Sequence, residues 1–257
     1  MAQPLAESVP AFCVMIFSTN GKYSAVEVKK RWDFLATELK EKGIKVLTVG
    51  SDSDPRYNLV MKHVLSLGKK NETFLNIPSW FNSNFSLELN FFPFQDIVHI
   101  GTKMRNRLLN QTMKIGKHVV SILHLFTLIR TVSKVKHNLC ETNIKPEDPQ
   151  NFDSVLRVCN EEVINSLKLN IKYSEGTVAY LRVLNNILRA FLDPNLSPLE
   201  RIRKLWFSVF FLRIWRYIIK NSKLLTMKEH FITLNCYACV EINAHSLILL
   251  ILYLKKK

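Results

Sequence analysis

Ile44-Lys-Val-Leu-Thr-Val-Gly50-Ser-Asp52-Ser-Asp54-Pro55-Arg56 carries the chain out of a strand and into a helix. Residues 44–50 are rich in β-branched and apolar side chains, which suit a pleated, buried surface. Asp54 then supplies an N-cap oxygen, and Pro55 brings a preset φ to the first helical position. Leu59, Val60, His63, Val64 and Leu67 continue along that helix. Upstream, Val28, Trp32, Leu35 and Leu39 are spaced 4, 3 and 4 apart, so 25–42 reads as a helix with one apolar stripe. Gly43 follows it as a C′ residue. Residues 11–18, Ala-Phe-Cys-Val-Met-Ile-Phe-Ser, read as a strand buried on both faces. The order is strand, helix, strand, helix, the βαβ pattern of a parallel sheet.

Residues 70–93 lose periodicity and hold many Phe, which predicts a long loop or insertion. A third strand is expected near 92–97. From 98 onward no strand is evident. Helices are expected over 100–111, 117–134, 151–169, 174–192, 197–220 and 227–254, the last broken near 235. Ser197-Pro198-Leu199-Glu200 is a capping box. The fold class is therefore α/β over 1–112, with a small partial sheet, followed by an all-α region over 113–257. A sheet of two or three strands leaves open edges.

The chain has 257 residues and a net charge of +15. Residues 1–100 carry 11 Lys and Arg against 10 Asp and Glu, whereas 101–257 carry 25 against 11. The excess belongs to the later region and favours a polyanion: nucleic acid first, acidic lipid second. Five Cys, an odd number, argue against a disulfide framework and for an intracellular setting. The N-terminus lacks a signal-peptide pattern. The most apolar run, Leu247–Leu254, reaches only about 12 Å as a helix, and Arg213 and Arg216 interrupt 205–219, so no transmembrane segment is expected. No phosphate loop or serine elbow occurs, and no small-molecule substrate is evident.

One constellation carries chemistry: Asp96-Ile-Val-His99-Ile-Gly-Thr-Lys103-Met-Arg105-Asn106-Arg107. A carboxylate at a strand end can hold a divalent cation, and the following cations can hold phosphate. The bland alternative is that Asp96 caps the helix and His99 packs in the core. Asp96-x-x-His99 with Arg105-Asn106 resembles the second catalytic acid of P-element-type DNA transposases, with Lys103 one place late for that pattern. The Asp-rich turn at 52–56 resembles the same family.

The resemblance implies a ribonuclease-H-like core of the DDE type, interrupted by a helical insertion, in which three acids hold two magnesium ions. It also implies a nuclear location. The first and third acids have no counterpart here: acids before Asp52 fall on the helix at 25–42 or precede any strand, and Glu241 is the last acid, only 16 residues from Lys257. The expectation is an internal transposase-derived fragment, catalytically inactive, with weak nonspecific DNA binding. Asp96 is its remnant metal-binding acid. His99, Lys103, Arg105, Asn106, Arg107, Arg213 and Arg216 are its DNA-contacting residues.

Cys236-x-x-Cys239 with His245, and His230 as a fourth ligand, offers zinc-type donors. Structural cysteines on one helix face explain the spacing as well, so no cofactor is expected. Helix 199–220 interleaves Arg201, Arg203, Lys204, Arg213, Arg216 and Lys220 with Trp206, Phe210, Phe211 and Trp215, a nucleic-acid-like composition. Two alternatives stay open. One is a basic helical module that binds a protein partner through 70–94 and 199–220. The other is a membrane-surface protein held by 246–257 and its terminal lysines.

Overall fold

Strand β1 (Thr48–Ser51) and strand β2 (Phe92–Gln95) pair in parallel, with Ser51 opposite Gln95. The computed structural model describes residues 1–5, 8–18, 21–67, 80, 81, 91–145 and 147–256. Most of the aperiodic 70–93 stretch lies outside them. Helix α1 (Ala25–Glu41) precedes β1 and starts at a capping box formed by Ser24 and Glu27. Its stripe meets the next helix and the residue before β2: the Trp32 ring lies 5.5 Å from that of Tyr57 and 5.6 Å from that of Phe91. Helix α2 (Pro55–Val64) begins as the sequence indicates, with the Asp54 carboxylate accepting from the Arg56 amide at 2.8 Å.

Helix α3 (Ile97–Asn110) follows β2 directly. Strands β3 (Met113–Ile115) and β4 (His118–Val120) then form an antiparallel hairpin, which corrects the expectation of no strand after 98. The expected helix 117–134 is thereby shortened to α4 (Ile122–Thr131). The expected helix 151–169 is two: α5 (Phe152–Val158) and α6 (Glu161–Asn170), because Asn160 leaves the helix to cap the second one. Helices α7 (Glu175–Leu192) and α8 (Pro198–Lys220) form an antiparallel hairpin, with Ser197 and Glu200 capping α8 reciprocally. A short α9 (Met227–His230) precedes α10 (Leu234–Lys255), so the expected break falls at 231–233.

The run 11–18 is not a strand. Its described residues make one isolated bridge, Ala2 to Phe12, and Phe12 and Ile16 are exposed. An apolar run alone does not choose between strand and unpaired chain.

Helix α10 closes the fold. It packs on β2, α2, α3 and α8, so one apolar core runs from Met61 and Phe92 through Met104 to Leu205, Cys239 and Leu247. At 22 residues, α10 is long and apolar enough to cross a membrane by length and composition, unlike the eight-residue run read from sequence. In the fold, 61% of its most apolar stretch is buried against the rest of the chain. It also buries Glu241, Asn243, His245 and Ser246.

Helix α7 meets β4 through Gly176, where an added Cβ would lie 2.5 Å from the Val119 carbonyl oxygen. Thr177 fastens the same contact, its hydroxyl accepting from the Ser121 amide at 2.9 Å. Gly176→Ala should therefore force α7 off the hairpin. We expect a loss of about 1–3 kcal/mol in urea denaturation. An unchanged midpoint would show that the backbone yields there freely.

Candidate functional site

Two acids stand at adjacent strand ends. The amide of Asp96 donates to the Ser51 carbonyl at 2.8 Å, so Asp52 and Asp96 are the next residues in the register of β1 and β2. Both are exposed. Parallel pairing thus places two carboxylates at the start of α2 and α3, where the strands release the chain. Sequence reading noted the turn at Asp52 but not its adjacency to Asp96, because strand pairing is a long-range fact.

Asp96 divides its oxygens. One accepts from the Val98 amide at 2.8 Å and caps α3. The other faces the His99 ring at 3.9 Å, with both side chains partly exposed. Asp54, two residues beyond Asp52, is spent on Arg56 through contacts of 2.6–3.0 Å. That hydrogen-bonded Arg56 holds the Asp54 carboxyl below its ordinary pKa.

Asp52 and Asp96 are hard oxygen donors of the kind a divalent cation takes. Among the described residues, however, no three His, Cys, Asp or Glu side chains converge on a common point. Among the described residues, these two carboxylates alone do not make a two-metal site.

The α3 cations point elsewhere than expected. Arg105 is 1% exposed, and its guanidinium donates to the carbonyls of Asn143, Lys145 and Asp148 at 2.9–3.1 Å. Loss of water lowers its pKa, and Asp148 opposes the drop. The Asn106 amide donates to Pro149, and Arg107 donates to Phe231 at 3.0 Å and to Lys228. These three residues fasten 143–145, 148–149 and 228–231 to α3. The phosphate contacts expected of them would compete with these hydrogen bonds within the chain. His99 and Lys103, one turn apart, are half-buried and retain access to solvent.

Arg213 is likewise engaged. It makes a two-point ion pair with Glu241, at 2.7 and 2.6 Å, and donates to the Trp80 carbonyl. Arg216 lies over the Tyr237 ring, 5.1 Å from its centre.

The zinc-type residues do not assemble. Cys236 and Cys239 are buried on α10, and burial pushes the Cys236 thiol up to about 12. Cys239 packs against Asn58 and Gln95. His245 sits nine residues from Cys236, its Nδ1 donating to the Glu241 carbonyl at 2.7 Å. Its ring lies 4.8 Å from Phe81 and 5.1 Å from Trp206. His230 belongs to α9. The i, i+3 spacing that suggested a metal pair records one buried helix face.

The His245 ring is held neutral. Burial lowers its pKa from the ordinary 6.5, while the Glu241 carbonyl and charge oppose this and Arg213 assists it. A depressed histidine pKa means the unfolded chain binds more protons, so stability rises with pH across the shift. Stability should therefore fall as pH drops below about 6.5, the unfolded histidine value. Half-buried His124 contributes with the same sign. His245→Phe should reduce this acid sensitivity without removing it, as read by denaturation midpoints between pH 7 and 5. An identical pH profile in the variant would place the sensitivity elsewhere.

No protein-family model and no curated protein matches the sequence. Among solved structures, the fold is similar to that of the Drosophila P element transposase strand transfer complex, with a TM-score of 0.62 and 15% sequence identity. The match covers 89% of this chain and 53% of that one, so the chain spans about half the length of the transposase. At this identity the likeness is one of fold.

Proposed function

We propose that residues 1–257 are a transposase-derived polypeptide, with part of a ribonuclease-H-like core and a helical insertion packed on it. By itself it is catalytically inactive and binds DNA weakly and without sequence preference. The observation that carries this reading is the fold likeness over 89% of the chain. The placement of Asp96 at the end of β2, beside Asp52, supports it. Inactivity rests on the donor set: two neighbouring carboxylates with no third converging on them among the described residues.

DNA affinity rests on charge rather than on a dedicated groove. The arginines expected to contact phosphate are engaged internally, which leaves His99, Lys103 and exposed lysines such as Lys114, Lys117, Lys134 and Lys136. Diffuse cations give salt-sensitive, sequence-independent binding. The same reading places the protein in the nucleus.

Fluorescence anisotropy with a labelled duplex tests the binding. The logarithm of affinity should fall linearly with that of salt, by about 0.9 per phosphate neutralised, and two unrelated duplexes should behave alike. Supplied with magnesium, the same preparation should leave supercoiled plasmid intact, with Asp96→Ala indistinguishable from the parent. Magnesium-dependent nicking that disappears in Asp96→Ala would contradict inactivity, and salt-independent or absent binding would contradict the DNA reading.

A further inference from the structure

Helix α8 has two apolar faces: one is buried, and the other stays largely exposed among the described residues, with the Trp80 ring 5.4 Å from that of Phe210 at its edge. Leu205, Val209, Leu212, Trp215 and Ile219 are buried against α7 and α10. Phe207, Phe210, Ile214 and Tyr217 stand on another side at spacings of 3, 4 and 3, between 37% and 69% exposed. At 1.5 Å per residue this seam runs for about 15 Å. A regular stripe of this kind is what a helix presents to another helix.

The seam opens into a cavity. Between the α6–α7 turn and α8 lies a concavity of about 520 Å³, with Phe207 shared between its lining and the seam. Ile171, Val178, Ala179 and Phe211 complete its apolar wall. Tyr173 sits at its mouth, 81% exposed. Its φ of +60° is a left-handed conformation that a tyrosine rarely adopts. Ser174 holds the turn there by donating to the Leu167 and Ile171 carbonyls at 3.1 and 2.8 Å.

The rim is cationic. Lys168, Lys172 and Arg182 surround the mouth, and among the described residues no carboxylate forms an ion pair with any of them. Glu175, the one acid in the lining, is drawn to His118 at 3.6 Å. Along α8 itself the one acid is Glu200, at its first turn.

We infer that the α8 seam and this cavity form a docking groove for an acidic amphipathic helix of a partner protein. A large apolar side chain of the partner enters the cavity over Phe207, its apolar stripe lies along Phe210, Ile214 and Tyr217, and its carboxylates meet Lys168, Lys172 and Arg182. Charge complementarity selects this occupant. A second copy of this chain would bring cation against cation. A nucleic acid would lay its phosphates along an apolar seam that neutralises none of them. A helix in a groove, anchored at i, i+3 and i+7, matches both the length and the spacing.

The test uses a fluorescein-labelled amphipathic peptide of about 18 residues, with a Leu/Phe face and Glu flanks, against the full chain. A second peptide carries Lys in place of Glu. The Glu peptide should bind, and the Lys peptide should bind at least about tenfold more weakly. Phe207→Ser and the double variant Lys172→Glu/Arg182→Glu change exposed or half-exposed side chains. Each should keep its circular dichroism and weaken the Glu peptide about tenfold or more. The double variant should also gain affinity for the Lys peptide, which misfolding does not produce. Equal binding of both peptides, or unchanged affinity in the variants, overturns the inference. So does displacement of the Glu peptide by a DNA duplex or by phosphatidylserine vesicles through these same residues, which would assign the groove to those ligands.

Discussion

The side-chain amide of Asn243 pairs with both backbone groups of Gln95. Its Oδ1 accepts from the Gln95 amide at 2.6 Å, and its Nδ2 donates to the Gln95 carbonyl at 2.9 Å. The rest of the architecture depends on this contact. Strand β2 has one described strand neighbour, β1, which receives the amides of Phe92 and Asp96 through Leu47 and Ser51. The alternate residues, Pro93 and Gln95, face the other edge. Proline has no amide to leave unpaired there, and its carbonyl accepts from Ser246. A helix thus supplies from side chains what a further strand would supply from backbone. Unpaired and buried, each Gln95 group would cost about 1–3 kcal/mol.

The polar residues of α10 follow from that task. Asn243 and Ser246 face β2. Glu241 holds Arg213 and accepts from Tyr237, which ties α10 to α8 and to the Trp80 carbonyl. His245 fills the space between, against Phe81 and Trp206. Composition alone makes α10 resemble a membrane-crossing helix, yet its polar groups meet specific partners across the core. Docked in this way, α10 fixes where β2 ends, and so where Asp96 stands beside Asp52. The same docking leaves the second apolar face of α8 on the surface.

Local signals were readable in the sequence. Asp54 with Pro55, the Val28–Leu39 stripe and Ser197 with Glu200 are contacts within a few residues, and the elements they predict are present. The hairpin at 113–120 was not readable, because three-residue strands carry little pattern and His118-Val-Val merges into the apolar start of α4. Residues 11–18 misled because burial on two faces depends on partners a sequence does not name. The site was half legible. Asp96 stands at a strand end as expected, but Arg105, Asn106 and Arg107 read as anion ligands by type alone. Their carbonyl acceptors lie at 143, 145, 148, 149, 228 and 231, and nothing near residue 105 marks those contacts. Cys236 and Cys239 show the same limit: helical spacing reveals a shared face, not what lies against it.

The edge-pairing role of Asn243 is open to a direct measurement: residue-resolved hydrogen exchange of the amides of Phe92, Gln95 and Asp96, in the parent chain and in Asn243→Ala. The account predicts comparable protection of all three in the parent. In the variant, Gln95 should exchange markedly faster, while Phe92 and Asp96 keep their bonds to β1 and most of their protection. Fast exchange of Gln95 in the parent, or unaltered protection in the variant, would contradict the claim that a helix side chain completes the sheet.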